Sequence, residues 1–203
     1  MSSVRGTPRQ YWVALRAMIV LTIALGIIYP LVITGIGLLA PAQANGSLLT
    51  VGGKTVGSSL IGQSFADIKG NALPQWFQSR PSAAGNGYDG TASGGSNQGT
   101  ESETLIKAIK ERKAAIAKSD GVDPADIPAD ALTASASGLD PQISPAYARE
   151  QVARVAATRN LPEAAVAKLV ESFIKGRELG YIGEPAVNVL ELNIALAKLD
   201  QHN

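Results

Sequence analysis

AMIVLTIALGIIYPLVITGIGLLA, residues 17–40, carries no charged side chain and no polar face. At about 1.5 Å of rise per residue, 24 residues make roughly 36 Å of helix, enough to cross a hydrocarbon core of about 30 Å with some tilt. A soluble core helix of that length would alternate apolar and polar faces. The flanks orient it. Arg5, Arg9 and Arg16 precede it, no further charge comes until Lys54, and no acidic residue comes before Asp67. The positive-inside rule therefore places residues 1–16 in the cytoplasm, 17–40 in the membrane and 41–203 outside the cytoplasm. Tyr11 and Trp12 suit the cytoplasmic interface. Ala42-Gln43-Ala44 also fits a signal-peptide cleavage site, but the apolar run exceeds the roughly 7–15 residues of a signal core, which favours an uncleaved anchor.

Within the span, Thr22, Gly26, Pro30 and Thr34 recur every four residues, the spacing of one helix face. Small residues so placed let a second helix approach closely in lipid, although glycine and proline are common in membrane helices generally. Pro30 lacks an N–H and is expected to bend the helix.

Composition narrows the chemistry of the remainder. The 203 residues hold 18 basic and 17 acidic side chains, for a net charge of +1, so nothing marks a nucleic-acid binder. With no cysteine and the single histidine His202, thiol nucleophiles, zinc–thiolate sites and a Ser–His–Asp triad are disfavoured. Paired carboxylates remain open to an enzyme, but no closely spaced pair stands out. Gly85-Asn86-Gly87-Tyr88-Asp89-Gly90 spells G-x-G-x-x-G but neither follows a strand nor opens a helix, so it reads as a turn. No glycine-rich run ends in Gly-Lys-Ser/Thr. The loop Ser93-Gly94-Gly95-Ser96-Asn97 is a candidate anion-cradling nest of backbone N–H groups, or a plain surface loop. Asn45-Gly46-Ser47 is formally a glycosylation sequon.

The pattern beyond the anchor predicts an α+β domain, with a short β region followed by about four helices. Leu48–Val51 and Lys54–Val56 flank Gly52-Gly53 as a hairpin, and residues 59–65 suit a further strand. Residues 67–100 read as a long irregular segment. Thr100 and Glu103 spell a capping box for a helix with Leu105, Ile109 and Ile116 inward and Lys107, Lys110, Arg112 and Lys113 facing away. Ser144-Pro145 opens a second helix that runs to Thr158. Pro162 opens a third, with Val166, Leu169, Val170 and Phe173 inward, and Asn188 with Glu191 caps a fourth bearing Leu192, Ala195, Leu196 and Leu199.

The order of several blocks carries a family resemblance. They are Ala44-Asn45-Gly46-Ser47-Leu48, residues 57–63 (GSSLIGQ) with Phe65, Phe77 with Arg80-Pro81-Ser82, and residues 92–97 (ASGGSN). Residues 133–140 (TASASGLD), Ile143-Ser144-Pro145, 152–161 (VARVAATRNL) and 187–200 (VNVLELNIALAKLD) complete the pattern. In this order they resemble the KdpC family, the C subunit of the Kdp potassium-transporting P-type ATPase. One departure lies at residues 99–103, where a Ser-Asn-Pro turn is expected and the chain reads GTESE. The resemblance implies a non-catalytic accessory subunit whose partners are a potassium-binding, channel-like subunit and an ATP-hydrolysing P-type subunit. It implies assembly of the complex and a raised ATP affinity of the hydrolysing subunit, the role called catalytic chaperone. No cofactor is held tightly by such a chain, ATP and potassium being handled by the complex. The likeness of residues 93–97 to the signature loop of ABC transporters implies nucleotide contact. The charge asymmetry opposes it, because it places the domain where cytoplasmic ATP is absent and makes any effect on ATP affinity indirect. On that topology the domain docks on the external face of the potassium-binding subunit, in the inner membrane. Arg80 is a candidate partner contact or half of an internal ion pair. A membrane-anchored or secreted binding module of the envelope, unrelated to transport, is the competing reading.

Overall fold

The fold was read from a computed structural model that describes residues 7–200; Arg5 and His202 lie outside the described residues. The chain divides into two units, one ending at Ser47 and the other beginning at Leu48.

In the first unit, α1 (Thr7–Ile23), a π-helical turn (Ala24–Ile28) and α2 (Tyr29–Gly37) follow without a break. The span Pro8–Gly37 is 30 residues long, and its most apolar 18-residue stretch has a mean hydropathy of 2.4 with none of it buried. Helix thus begins well before Ala17 and takes in Arg9, Tyr11, Trp12 and Arg16. Pro30 is accommodated by a widened turn rather than by a break. It has no N–H to donate, and its ring would clash with the carbonyl four residues back. One residue earlier the Tyr29 N–H donates to the Ala24 carbonyl, five residues back. After Gly37 the chain turns through α3 (Pro41–Ala44), with the Ser47 N–H bonded to the Ala42 carbonyl at 2.7 Å.

The second unit opens with the expected hairpin, β1 (Leu48–Val51) against β2 (Lys54–Ser58). Gly52 and Gly53 both have positive φ, +57° and +76°, as a type I′ turn requires. The strand expected over residues 59–65 does not form. The Leu60 N–H bonds the Ser58 hydroxyl at 3.1 Å in a local turn, and the Gly62 N–H is drawn to the Leu139 carbonyl at 2.8 Å. Residues 67–100 are irregular, as read. α4 (Glu103–Asp120) starts after Ser102, which has the extended backbone of an N-cap, so Thr100 is not the capping residue. Arg112 also departs from expectation. Its Nη1 donates to the Leu132 carbonyl at 2.8 Å rather than pointing to solvent, because α5 (Ala129–Leu132) packs beside α4 and leaves a helix-end carbonyl to satisfy.

Ser144 caps α6 (Pro145–Glu150) by accepting from the Tyr147 N–H at 3.1 Å. The helix is not continuous to Thr158. It breaks at Gln151, whose buried side chain bonds the backbone of a distant loop, and resumes as α7 (Val152–Arg159). α8 (Glu163–Phe173) follows Pro162, and α9 (Val189–Asp200) begins where the Asn188 side chain accepts from the Glu191 N–H at 3.1 Å. A small antiparallel sheet of order β3-β5-β4 was not visible in the sequence. It is made of β3 (Gln142–Ile143), β4 (Ile174–Lys175) and β5 (Ala186–Asn188), strands too short to show alternation. Phe77, Val155, Val166, Val170, Val187, Leu192 and Leu196 are fully enclosed and form the centre of the core.

Candidate functional site

The blocks with the most distinctive sequence meet in one seam of the second unit. The Ser82 hydroxyl donates to the Gly138 carbonyl at 2.6 Å and accepts from the N–H groups of Ala84 and Tyr88. The Ser135 N–H bonds the Pro81 carbonyl at 3.2 Å. Arg80 pairs with Asp140 at 3.2 Å, both side chains about three-quarters buried, and the Arg80 Nε is buried with no partner. The Tyr88 hydroxyl donates to the Arg80 carbonyl at 2.7 Å, and burial pushes that phenol up to about 12. Arg80 is thus committed to an internal ion pair through Nη1, with its buried Nε left without a partner.

The loop at residues 93–97 closes the same seam from the other side. The Gly94 N–H donates to the Ser137 carbonyl at 2.8 Å, and the Ser93 hydroxyl reaches the same oxygen at 3.0 Å. A Cβ on Gly95 would lie 2.9 Å from the Ala136 carbonyl oxygen, and one on Gly138 would lie 2.7 Å from the Ala84 methyl. Asn97 has φ +50°, a left-handed position that asparagine tolerates. A nest needs consecutive N–H groups converging on an open concavity. Here the Gly94 donor is already spent on Ser137, and Gly95 is required by close packing. The small residues of ASGGSN and TASASGLD are matched to each other.

A second constellation lies between α4, α7 and the loop at residues 70–81. Gln151 Oε1 accepts from the Gln78 N–H at 2.6 Å, and its Nε2 donates to the Gln78 carbonyl at 3.2 Å. Asn193 does the same to Phe77, accepting from its N–H at 3.0 Å and donating to its carbonyl at 2.9 Å. Two buried amides thus replace a strand partner for an irregular segment, a role that the apolar pattern does not reveal. Arg154 pairs with Asp120 at 3.0 Å, both almost wholly buried, and also donates to the carbonyls of Pro74 and Trp76. Both carboxyl oxygens of Glu150 are buried without a hydrogen-bond partner. Burial, reinforced by the neighbouring Asp120, pushes the Glu150 carboxyl up to about 8. These groups border a cleft of about 560 Å³ lined by Asn71, Gln78, Arg112, Asp120, Tyr147 and Arg154. Asp120 and Arg154 are paired with each other, Arg112 is held on the Leu132 carbonyl, and no group of three or more metal-ligating side chains occurs among the described residues.

On the long apolar helix, Thr22, Gly26, Pro30 and Thr34 are all exposed. An uninterrupted α-helix would carry position 34 about 120° round the axis from position 22. The π turn absorbs one extra residue and cuts that drift to about 20°, so the four positions come into line. The Thr34 hydroxyl is satisfied within the helix, donating to the Pro30 carbonyl at 2.8 Å, which leaves its methyl to the surface.

Residues 11–198 match the family described as KdpC: K+-transporting ATPase, c chain. The chain belongs to the KdpC family. A potassium-transporting ATPase KdpC subunit of Kineococcus radiotolerans is 56% identical over 93% of both chains. The one of Gemmatimonas aurantiaca is 54% identical over 91% of this chain and 92% of its own. That of Streptomyces avermitilis is 46% identical over 98% of this chain and 97% of its own. Membership makes the chain an accessory subunit of the membrane-associated potassium-transporting ATPase, with other subunits as partners. In the seam the Ser82 and Ser93 hydroxyls and the Gly94 N–H are turned inward.

Proposed function

We propose that this KdpC chain stabilises the assembled potassium-transporting complex and raises the ATP affinity of the hydrolysing subunit from a distance, without contacting nucleotide. The observation that carries this reading is the engagement of the Gly94 N–H by the Ser137 carbonyl, together with the close packing of Gly95 on Ala136. The Gly94 N–H is thereby lost to a phosphate cradle, and Gly95 is fixed by packing. Arginine bias ahead of the span supports a cytoplasmic N-terminus and an extracytoplasmic second unit, which separates that unit from ATP as well. The aligned face at Thr22, Gly26, Pro30 and Thr34 supports packing of the anchor against a membrane helix of the potassium-binding, channel-like subunit. The second unit docks on the external side of that subunit. Coupling to the ATP site is then a difference in assembly free energy between nucleotide-bound and nucleotide-free complexes, and is reciprocal.

The test is paired. Calorimetry of the full-length chain in detergent with ATP is expected to give no heat of binding. The complex with and without the chain is expected to differ in KM for ATP. Saturable ATP binding by the chain alone contradicts the indirect mechanism, and an unchanged KM contradicts any role in ATP affinity.

A further inference from the structure

Between β4 and β5 the chain forms a closed loop whose tip presents large apolar side chains to solvent. Glu178 and Ile182 exchange both backbone hydrogen bonds at 2.9 Å, and the Gly180 and Tyr181 N–H groups bond the carbonyls of Arg177 and Glu178. The Arg177–Glu184 ion pair, 2.6 Å, closes the neck. Leu179 is held at φ +52°, a region that leucine rarely adopts, between ordinary backbone and Gly180 at φ +83°. The result is an ordered tip on which Leu179, Tyr181 and Ile182 are 78%, 70% and 50% exposed. An isolated exposed leucine needs no explanation, but three adjacent large apolar side chains on a hydrogen-bonded loop in a strained conformation do.

We propose that this tip is a second membrane contact, resting its leucine, tyrosine and isoleucine in the headgroup–acyl boundary of the bilayer. The occupant follows from the chain itself. A 30-residue apolar helix anchors it, and only residues 38–47 join that helix to β1. Ten residues span at most about 35 Å when fully extended, so the tether keeps the second unit beside the bilayer at high effective concentration. The tip's composition is that of an interfacial anchor, with a tyrosine whose hydroxyl stays at the headgroups between two aliphatic side chains. Its shape also suits lipid. It is a narrow tip rather than a face, and a deformable surface accepts it without a complementary pocket. The local charges are Arg177, Glu178 and Glu184, of which Arg177 and Glu184 cancel, so attraction to anionic lipid is not the driving force. The contact is therefore insensitive to salt and needs no acidic lipid. It requires the membrane tether but not docking on a partner subunit.

Because the chain contains no cysteine, single spin labels report cleanly. The full-length chain carrying Y181C, labelled and reconstituted alone in phosphatidylcholine vesicles, is compared with I68C, a fully exposed apolar position elsewhere on the same unit. At position 181 collisions with dissolved oxygen are expected to gain over collisions with an aqueous nickel chelate, unchanged by salt or by added phosphatidylglycerol. At position 68 the nickel chelate should dominate. A second variant, L179G, keeps the left-handed backbone and removes one apolar side chain, and should shift the label at 181 back toward water. Equal nickel accessibility at 181 and 68 overturns the proposal. So does a label at 181 that is free in vesicles and shielded from both reagents only when the other ATPase subunits are present, which would make the tip a protein contact. A shift that appears only with anionic lipid and vanishes in salt also contradicts it.

Discussion

Replacing Gly95 by alanine places a methyl group 2.9 Å from the carbonyl oxygen of Ala136, with the Cα and carbonyl carbon of Ala136 at 3.4 and 3.5 Å. All three neighbours are backbone, so no side chain can swing aside and the seam must open. Overpacking of this kind costs about 1–3 kcal/mol. Reduced backbone freedom in the unfolded chain returns about 0.4–1 kcal/mol, leaving a net loss of about 1.3 kcal/mol at the centre of both ranges and about 2.6 kcal/mol at most. For a unit of this size each kcal/mol moves the midpoint by about 2–4 °C, so a fall of about 1–10 °C is expected. Gly94 provides the control. A Cβ there meets nothing closer than the Ala92 carbonyl at 4.0 Å, so G94A should be neutral or slightly stabilising. The assay is thermal unfolding of the full-length chain in detergent, followed by near-ultraviolet circular dichroism, beside calorimetry with ATP. A ligand-binding loop gives the opposite pattern, with both variants stable and both defective in nucleotide binding. If G95A unfolds like the parent, or G94A loses as much, the packing account of ASGGSN is wrong.

Further outcomes follow from the buried polar groups and the anchor. The Glu150 carboxyl is raised from 4.5 to about 8 by burial and by Asp120, so the folded chain holds that proton more tightly than the unfolded one. Stability from this group is complete below about pH 4.5 and is lost as pH climbs through 8, by about 2 kcal/mol once partial solvent screening is allowed for. In E150Q, denaturant unfolding between pH 5 and 9 should show a flatter profile than the parent. Asn193→Ala strands the buried N–H and carbonyl of Phe77 and is expected to cost about 2–4 kcal/mol, with faster hydrogen exchange at the Phe77 amide. Pro30→Ala removes the reason for the π turn. It should rotate positions 22 and 34 apart by about 100° and split a single-sided pattern of disulfide cross-links from the anchor to the complex into two faces.

How far the sequence carried depended on the kind of signal. The Gly52-Gly53 hairpin and the starts at Ser144, Pro162 and Asn188 rest on local chemistry that acts within a few residues, and they appear where that chemistry puts them. The break at Gln151 and the coil at residues 59–65 depend on partners 73 and 77 residues away in the chain, Gln78 and Leu139, and no local pattern encodes them. The two-residue strands β3 and β4 are too short to alternate. At the candidate site, the glycines of ASGGSN read as an anion-cradling nest or a plain surface loop, and neither reading contained their packing role. A glycine chosen for close approach and a glycine chosen for an anion read alike until the Ala136 carbonyl is seen against Gly95. The buried amides of Gln151 and Asn193 were missed altogether. A polar residue on the apolar face of a helix, as Asn193 is between Leu192 and Leu196, was the available signal.

The orientation of the tethered unit bears most directly on how this subunit works, and labelling of intact cells measures it. In an otherwise cysteine-free chain, K107C is expected to react with a membrane-impermeant maleimide added from outside, whereas S3C should react only after the membrane is permeabilised. Labelling of position 3 from outside with position 107 protected would put the second unit in the cytoplasm, within reach of ATP, and would contradict the account.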